Sequence, residues 1–400
     1  MLAEQNTSVP KKGDLSFEDT EIAFKHASNG DLNRAYWLFR AINNNFLVKI
    51  GPGMTNFAMN IGLPIKGLIK ATIFNQFCGG ETIQECDHTI KNLHTGGVGT
   101  ILDYSVEGEE EESVFDFTRD EIIRTIERAT GDPAIPITVF KVTGVGRFGL
   151  LEKLDAGTKL TPAEEQEWQK VQSRVQAICQ KAYQAGIPVM VDAEESWIQN
   201  TLDQLAISMM QRYNKEKAIV YNTYQLYRHD TLALLKLNYD VARTEEFYLG
   251  VKIVRGAYME KERKRAQERG YKSPIQPDKA SADRDYNEAL RFCVEHIDRI
   301  ALVAGTHNEA SCRILADLLN ELHVPHNHPH VYFSQLLGMS DNLSFNLANA
   351  GYNVVKYVPY GPVKAVMPYL FRRAQENTAI AGQMSRELVL IIKEKKRRRL

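Results

Sequence analysis

Short apolar or β-branched runs recur along the chain, separated by longer stretches whose apolar positions repeat at helical spacing. The runs are residues 99–105 (GTILDYS), 137–143 (ITVFKVT), 188–193 (PVMVDA) and 218–224 (AIVYNTY). Four more follow at 248–254 (YLGVKIV), 300–306 (IALVAGT), 331–335 (VYFSQ) and 353–357 (NVVKY). Between them, 162–185, 283–298 and 309–322 read as helices. Strict alternation with nearly continuous apolar strands predicts parallel strands covered outside by helices. Eight such units predict an α/β protein folded as a (β/α)8 TIM barrel from about Thr95 onward. A doubly wound open sheet is the competing arrangement. Residues 1–95 read as an N-terminal helical arm, and 96–400 as the barrel with a C-terminal helix and basic tail.

The barrel reading carries its own test, because sites of this architecture collect at the C-terminal ends of the strands. Polar residues do stand there: Asp103, Lys141, Asp192 with Glu194 and Glu195, Asn222 with Gln225, and Arg255. The later strands add Thr306, His307 and Asn308, then Gln335 and Tyr357. One such residue is commonplace; a polar group after nearly every strand marks a site.

Composition removes whole classes of function. At 44% hydrophobic and 25% charged the chain is a globular protein with a sizeable core. A net charge of −1 offers no general attraction to nucleic acid. Five cysteines without a C-x-x-C pair point to reduced thiols. The N-terminal stretch shows neither an apolar signal core nor a transit-peptide composition, so a cytoplasmic enzyme is expected, with peripheral contact at the inner membrane left open. Residues 46–78 are apolar but broken by glycine and proline, which excludes a spanning helix. They read as helices packed on the main domain in preference to a membrane-surface patch. The acidic run 109–112 reads as a solvated loop, and the basic tail 393–400 as an unstructured end.

Two motifs tempt. Residues 144–149 match G-x-G-x-x-G after a strand, but no second strand presents an acid to a ribose. Four histidines within 323–330 invite a metal, yet they precede the seventh strand, opposite the polar ends, and no metal site is expected. The helix after the last strand is more telling. It sets Tyr369, Arg372, Arg373 and Glu376 on one face, where paired arginines suit a carboxylate. In the fifth strand Lys252 interrupts an apolar run; buried in a barrel, it requires a carboxylate or an electron-rich cofactor beside it.

At these residues the sequence resembles the proline dehydrogenases. The matching pieces are Lys141, Asp192-Ala-Glu-Glu195, Asn222-Thr-Tyr-Gln225 and Lys252-Ile-Val-Arg-Gly-Ala-Tyr258. Thr306-His-Asn308, Gln335-Leu-Leu-Gly-Met339, Tyr357 and Tyr369-Leu-Phe-Arg-Arg-Ala-Gln-Glu-Asn377 complete them, in family order. The resemblance implies a distorted barrel, FAD as cofactor, and oxidation of L-proline to 1-pyrroline-5-carboxylate with electrons passed to a quinone. It implies that Arg372, Arg373 and Lys141 bind the substrate carboxylate, that Tyr357 and Tyr369 close over the ring, and that Asp192 organises its cationic side. It further implies that Lys252 lies at the reactive part of the flavin. Ala193, Asn222, Gln225, Val254, Arg255, Gly256, Ala257, Tyr258, Thr306, His307, Asn308 and Glu376 would hold the rest. Bacterial bifunctional members carry Arg at the Lys252 position and Gln at the Asn222 position, so this chain resembles the monofunctional, eukaryotic-type branch. A hydroxyproline dehydrogenase is the alternative, disfavoured because Tyr357 would crowd a hydroxyl.

Overall fold

A computed structural model describes residues 15–44, 53, 65–105, 110–377 and 384–400. Much of the apolar 46–78 segment, part of the acidic run and most of the N-terminal stretch lie outside these residues. All eight expected strands form: β1 Val98–Tyr104, β2 Thr138–Phe140, β3 Val189–Val191, β4 Val220–Gln225, β5 Leu249–Val254, β6 Ile300–Gly305, β7 Val331–Leu336 and β8 Val354–Tyr360. They pair in parallel in the order β1-β8-β7-β6-β5-β4-β3-β2. β1 and β2 meet without a ladder, closed by a bond from Thr100 N–H to the Ala134 carbonyl at 2.8 Å. The sheet is therefore a nearly closed, distorted (β/α)8 barrel and not an open sheet.

The helical shell forms where the sequence supplies starts and stops. Pro162–Ala185 opens on a capping box between Thr161 and Glu164 and ends on Gly186 in a left-handed conformation. Its Val171 packs so closely on Gly146 that a Cβ there would stand 2.7 Å away, a packing reason for one glycine of the G-x-G-x-x-G stretch. The histidine-rich loop leads into β7 at the far end from the polar strand ends. There His326 stacks on Tyr352 at 4.1 Å and bonds to Asn320 and the Ala350 carbonyl. All five cysteines are buried and unpaired.

A second apolar core lies over the C-terminal ends of the strands. Phe24, Phe39, Phe74, Phe77 and Cys78 of the arm pack with Val366, Met367 and Leu370 of the helix Val363–Glu376 and with Leu388 and Ile391 of the last helix. The arm is fixed to the barrel rim by hydrogen bonds from Gly79 N–H to the Pro359 carbonyl and from Gly361 N–H to the Gly80 carbonyl. The basic tail corrects the sequence reading: it is the helix Arg386–Arg398, not a loose end. Its cations have partners both far off and near in sequence. Arg398 donates to the carbonyls of Phe24 and Ala27, while Arg397 and Arg398 both pair with the buried Glu394. Among the described residues no helix is long and apolar enough to cross a membrane.

Arm and barrel also meet at Gly338, in the turn after β7. Its φ of +75° suits glycine, and a Cβ would stand 2.1 Å from the Gln76 carbonyl oxygen. Gly338→Ala should cost at least about 2 kcal/mol in urea unfolding. Gly351→Ala, with φ +86° but nothing within 4 Å, should cost only about 1 kcal/mol.

Candidate active site

Register decides which side chains enter the barrel. Ile101, Val139, Met190, Tyr221, Val303 and Val355 lie in the apolar cluster that fills the lumen. Side chains alternate along a strand, so residues two positions further face the same way: Asp103, Lys141, Asp192, Thr223, Gly305 and Tyr357. Lys252, paired in register with Thr223 and Val303, enters the same space. Toward the C-terminal ends the apolar plug thus gives way to a polar layer.

Lys252 is buried at the centre of that layer. Its ammonium donates to Asp192 at 2.5 Å and to the Tyr357 hydroxyl, and the phenol donates to Asp192 at 3.2 Å. The ammonium also lies 4.4 Å from the centroid of the Tyr357 ring. The three groups form a closed cycle of charge-assisted hydrogen bonds. Burial, then the carboxylates of Asp192 and Asp103, hold the Tyr357 phenol well above its usual range, so it stays a protonated donor.

The helix Val363–Glu376, which follows β8, carries the paired arginines. Arg373 is buried, pairs with Glu376, and sets its guanidinium carbon 5.0 Å from the Tyr369 ring centroid. Arg372 and Lys141 are half-buried. Arg373 acts electrostatically on His307, and Asp103 on Tyr369, which places this helix beside the strand ends. Two buried atoms, the Tyr369 hydroxyl and Arg373 Nε, have no hydrogen-bond partner among the described residues. Orphaned buried polar groups are rare because each costs about 1–3 kcal/mol, and this pair suits an anion.

The other expected residues divide. Gln225 shares the lumen parity of Thr223 and donates to the Glu194 carbonyl at 2.7 Å. Ala193 and Val254 are half-buried at their strand ends, and Tyr258 precedes the helix Met259–Arg269. Arg255 is held by Asp283 at 2.6 Å and by Thr306 and Ser311 at 2.9 Å. Gly256 has φ +135°, and a Cβ would come within 2.4 Å of the Tyr227 ring; Ala257 beside it is exposed. His307 bonds to the Ser340 hydroxyl at 2.9 Å, and burial, helped by Lys356 and Arg373, pushes its imidazole down to about 3. It is neutral at any physiological pH.

At three further expected positions the side chain is engaged within the protein. Asn222 does not enter the lumen: one step out of phase with Tyr221 and Thr223, it turns to the helical layer and donates to Asp203 at 2.8 Å. Asn308 has its side-chain oxygen occupied as the N-cap of Glu309–Glu321, accepting from Ser311 N–H at 3.0 Å. Glu376 pairs with Arg373, and burial raises its carboxyl above the usual range. The sequence reading missed Lys356, the neighbour of Tyr357, which is fully buried on the opposite face of β8. It pairs with Asp341 at 2.8 Å and donates to the Met339 carbonyl at 2.6 Å. A lysine inside an apolar strand was the available signal, the same one that marks Lys252.

The donor set fits a flavin. A buried cation, a lumen-facing amide at Gln225, and the exposed Ala257 beside them suit a large, electron-rich, anionic ligand. A Cβ at Gly305 would stand 3.0 Å from the Val254 side chain and 3.2 Å from the Ile253 carbonyl oxygen, so glycine suits the close approach of β5 and β6 at their ends. Among the described residues no three His, Cys, Asp or Glu side chains stand together as a metal site. A cavity of about 1050 Å³ opens elsewhere, between the arm and the turn after β7, and none of these site residues lines it.

The chain is similar to known proteins along nearly its whole length. The family model described as proline dehydrogenase matches residues 86–386. Proline dehydrogenase 1, mitochondrial, of Dictyostelium discoideum is 33% identical over 95% of this chain and 74% of its own. A hydroxyproline dehydrogenase of Xenopus laevis is 31% identical over 97% of this chain and 91% of its own. Among solved structures, proline utilization A of Bdellovibrio bacteriovorus superposes with a TM-score of 0.71 at 18% identity. That match covers 91% of this chain but only 38% of the longer protein.

The cycle around Lys252 has a thermodynamic signature. Lys252→Met should destabilise the fold by about 3 kcal/mol in urea unfolding, because Asp192 loses its counter-cation and keeps only the Tyr357 hydroxyl. Combining it with Asp192→Asn should recover part of that loss, and strict additivity would show that the pair is not coupled.

Proposed function

The chain belongs to the proline dehydrogenase family, and on that premise we propose how its residues carry out the family reaction on this barrel. The reaction is oxidation of L-proline to 1-pyrroline-5-carboxylate, an amine-to-imine oxidation, with a quinone receiving the electrons. The observation that supports this reading is the pair of orphaned polar atoms on Tyr369 and Arg373, in the helix that follows the strand of Tyr357, together with the buried cluster of Lys252, Asp192 and Tyr357.

Arg372, Arg373 and Lys141 bind the substrate carboxylate, the arginines by forked hydrogen bonds that lysine reproduces poorly. Tyr369 supplies a further donor from its free hydroxyl. The Tyr357 ring, pinned through its hydroxyl by Lys252 and Asp192, forms a rigid wall against which the five-membered ring rests. The substrate nitrogen must be neutral when hydride leaves C5. Asp192 is already balanced by Lys252, so the cluster does not favour the ammonium form. FAD, when bound, supplies the hydride acceptor. Gln225, Lys252, Val254, Arg255, Gly256, Ala257, Tyr258, Thr306 and His307 would hold it, with Ala193 beside them. Lys252 offers positive charge where electron density accumulates.

Proline is favoured over hydroxyproline because the fixed Tyr357 ring leaves little room for an added hydroxyl. Purified protein should show a flavin spectrum that bleaches on anaerobic addition of L-proline. A flavin that stays oxidised with proline and bleaches with hydroxyproline would reverse the assignment. Arg373→Met should raise the KM for proline by about a hundredfold while FAD remains bound, and an unchanged KM would remove the arginine from the carboxylate site.

A further inference from the structure

The exit loop of β3 contains a buried carboxylate that the reaction above does not use. Glu194 is 4% exposed, two residues beyond Asp192. Its two oxygens accept from the Thr143 N–H at 3.2 Å and the Thr143 hydroxyl at 2.5 Å. Its own N–H donates to the Gln199 side chain at 2.8 Å, and its carbonyl accepts from Gln225 at 2.7 Å. One residue therefore ties the turn leaving β2, the loop leaving β3 and the end of β4. Each carries a group of the site: Lys141 two residues before Thr143, Asp192 two before Glu194, and Gln225 itself.

A buried carboxylate is expensive to keep. Burial pushes Glu194 up to about 7, opposed by the Thr143 hydroxyl and by Lys141, while Glu195 pushes it further up. An apolar residue of similar size would fill the space without that cost, yet it would leave both Thr143 donors without their acceptor. The need for it is greatest at β2. That strand has three ladder pairs with β3 and none with β1, so the turn that carries Lys141 leaves a strand laddered along one edge only.

We propose that Glu194 is a positioning residue: by holding Thr143 it aims Lys141 at the substrate carboxylate, and through its main chain it sets Gln225 against the cofactor. The inference rests on the placement of Lys141 in the proline site. Glu194 acts through Thr143 and need not touch the substrate.

The test is steady-state kinetics of the FAD-loaded enzyme with L-proline at saturating acceptor, alongside the visible flavin spectrum. Glu194→Gln keeps the size and one acceptor but loses the second, and should raise the proline KM about tenfold with kcat changed less than about twofold. Thr143→Val removes only the hydroxyl donor and should shift KM in the same direction. The double variant should be no worse than Glu194→Gln alone. A structural role alone would lower the melting temperature and leave the KM of the folded fraction unchanged, and that result overturns the proposal. So does additivity of the two substitutions. If Glu194→Gln fails to fold, Thr143→Val decides: a wild-type KM in that variant also overturns it. Failure of the wild-type flavin to bleach with proline would instead indict the proline assignment.

Discussion

A primary ammonium cannot stand alone inside a barrel lined with valine, isoleucine and tyrosine, and the neutralisation of Lys252 organises everything around it. Its partners come from β3 and β8, on either side of the lumen, so Asp192 and Tyr357 are held in one arrangement by the charge between them. Tyr357 accepts from the lysine and donates to the aspartate, leaving its ring without rotational choice. The polar layer is thus rigid before any ligand arrives, which is the preorganisation that binding and catalysis exploit.

The layer above it is built differently. The helix Val363–Glu376 is anchored by apolar side chains to the arm, and its polar face is left looking for a partner. Phe74, Phe77 and Cys78 on one side and Val366 and Leu370 on the other exclude water behind Tyr369 and Arg373. A guanidinium backed by apolar packing interacts with an anion through a lower effective dielectric than one at an open surface. The arm is therefore part of the electrostatics of the mouth, although none of its residues carries the charge.

The eight strands were legible because parallel strands buried on both faces read as apolar runs, whatever their neighbours. Lys252 was legible for the complementary reason, as a charge where the pattern forbids one. The direction of Asn222 was not legible because a run such as AIVYNTY is apolar on both faces, so its composition does not say which residues look inward. Only pairing with β3 and β5 fixes that phase, and it selects Gln225. The basic tail was misread for want of range: the carbonyls of Phe24 and Ala27 that order Arg398 lie some 370 residues away, and local sequence carries no trace of them. Glu194 was visible as an acid at a strand end, but its engagement with Thr143 depends on the approach of two loops.

The seam between β1 and β2 gives the barrel a mechanical asymmetry. Most strands are clamped along both edges, whereas β2 is laddered on one side and touches β1 through loop contacts. Bending a sheet is softest where its hydrogen bonds are missing, so thermal fluctuation of the barrel should concentrate at this seam. Lys141 rides on the strand beside it, while Lys252 and Tyr357 sit on strands laddered along both edges. The mouth therefore combines a stiff wall with one compliant jaw, and the compliance needed to admit and release a small ring is confined to a single side.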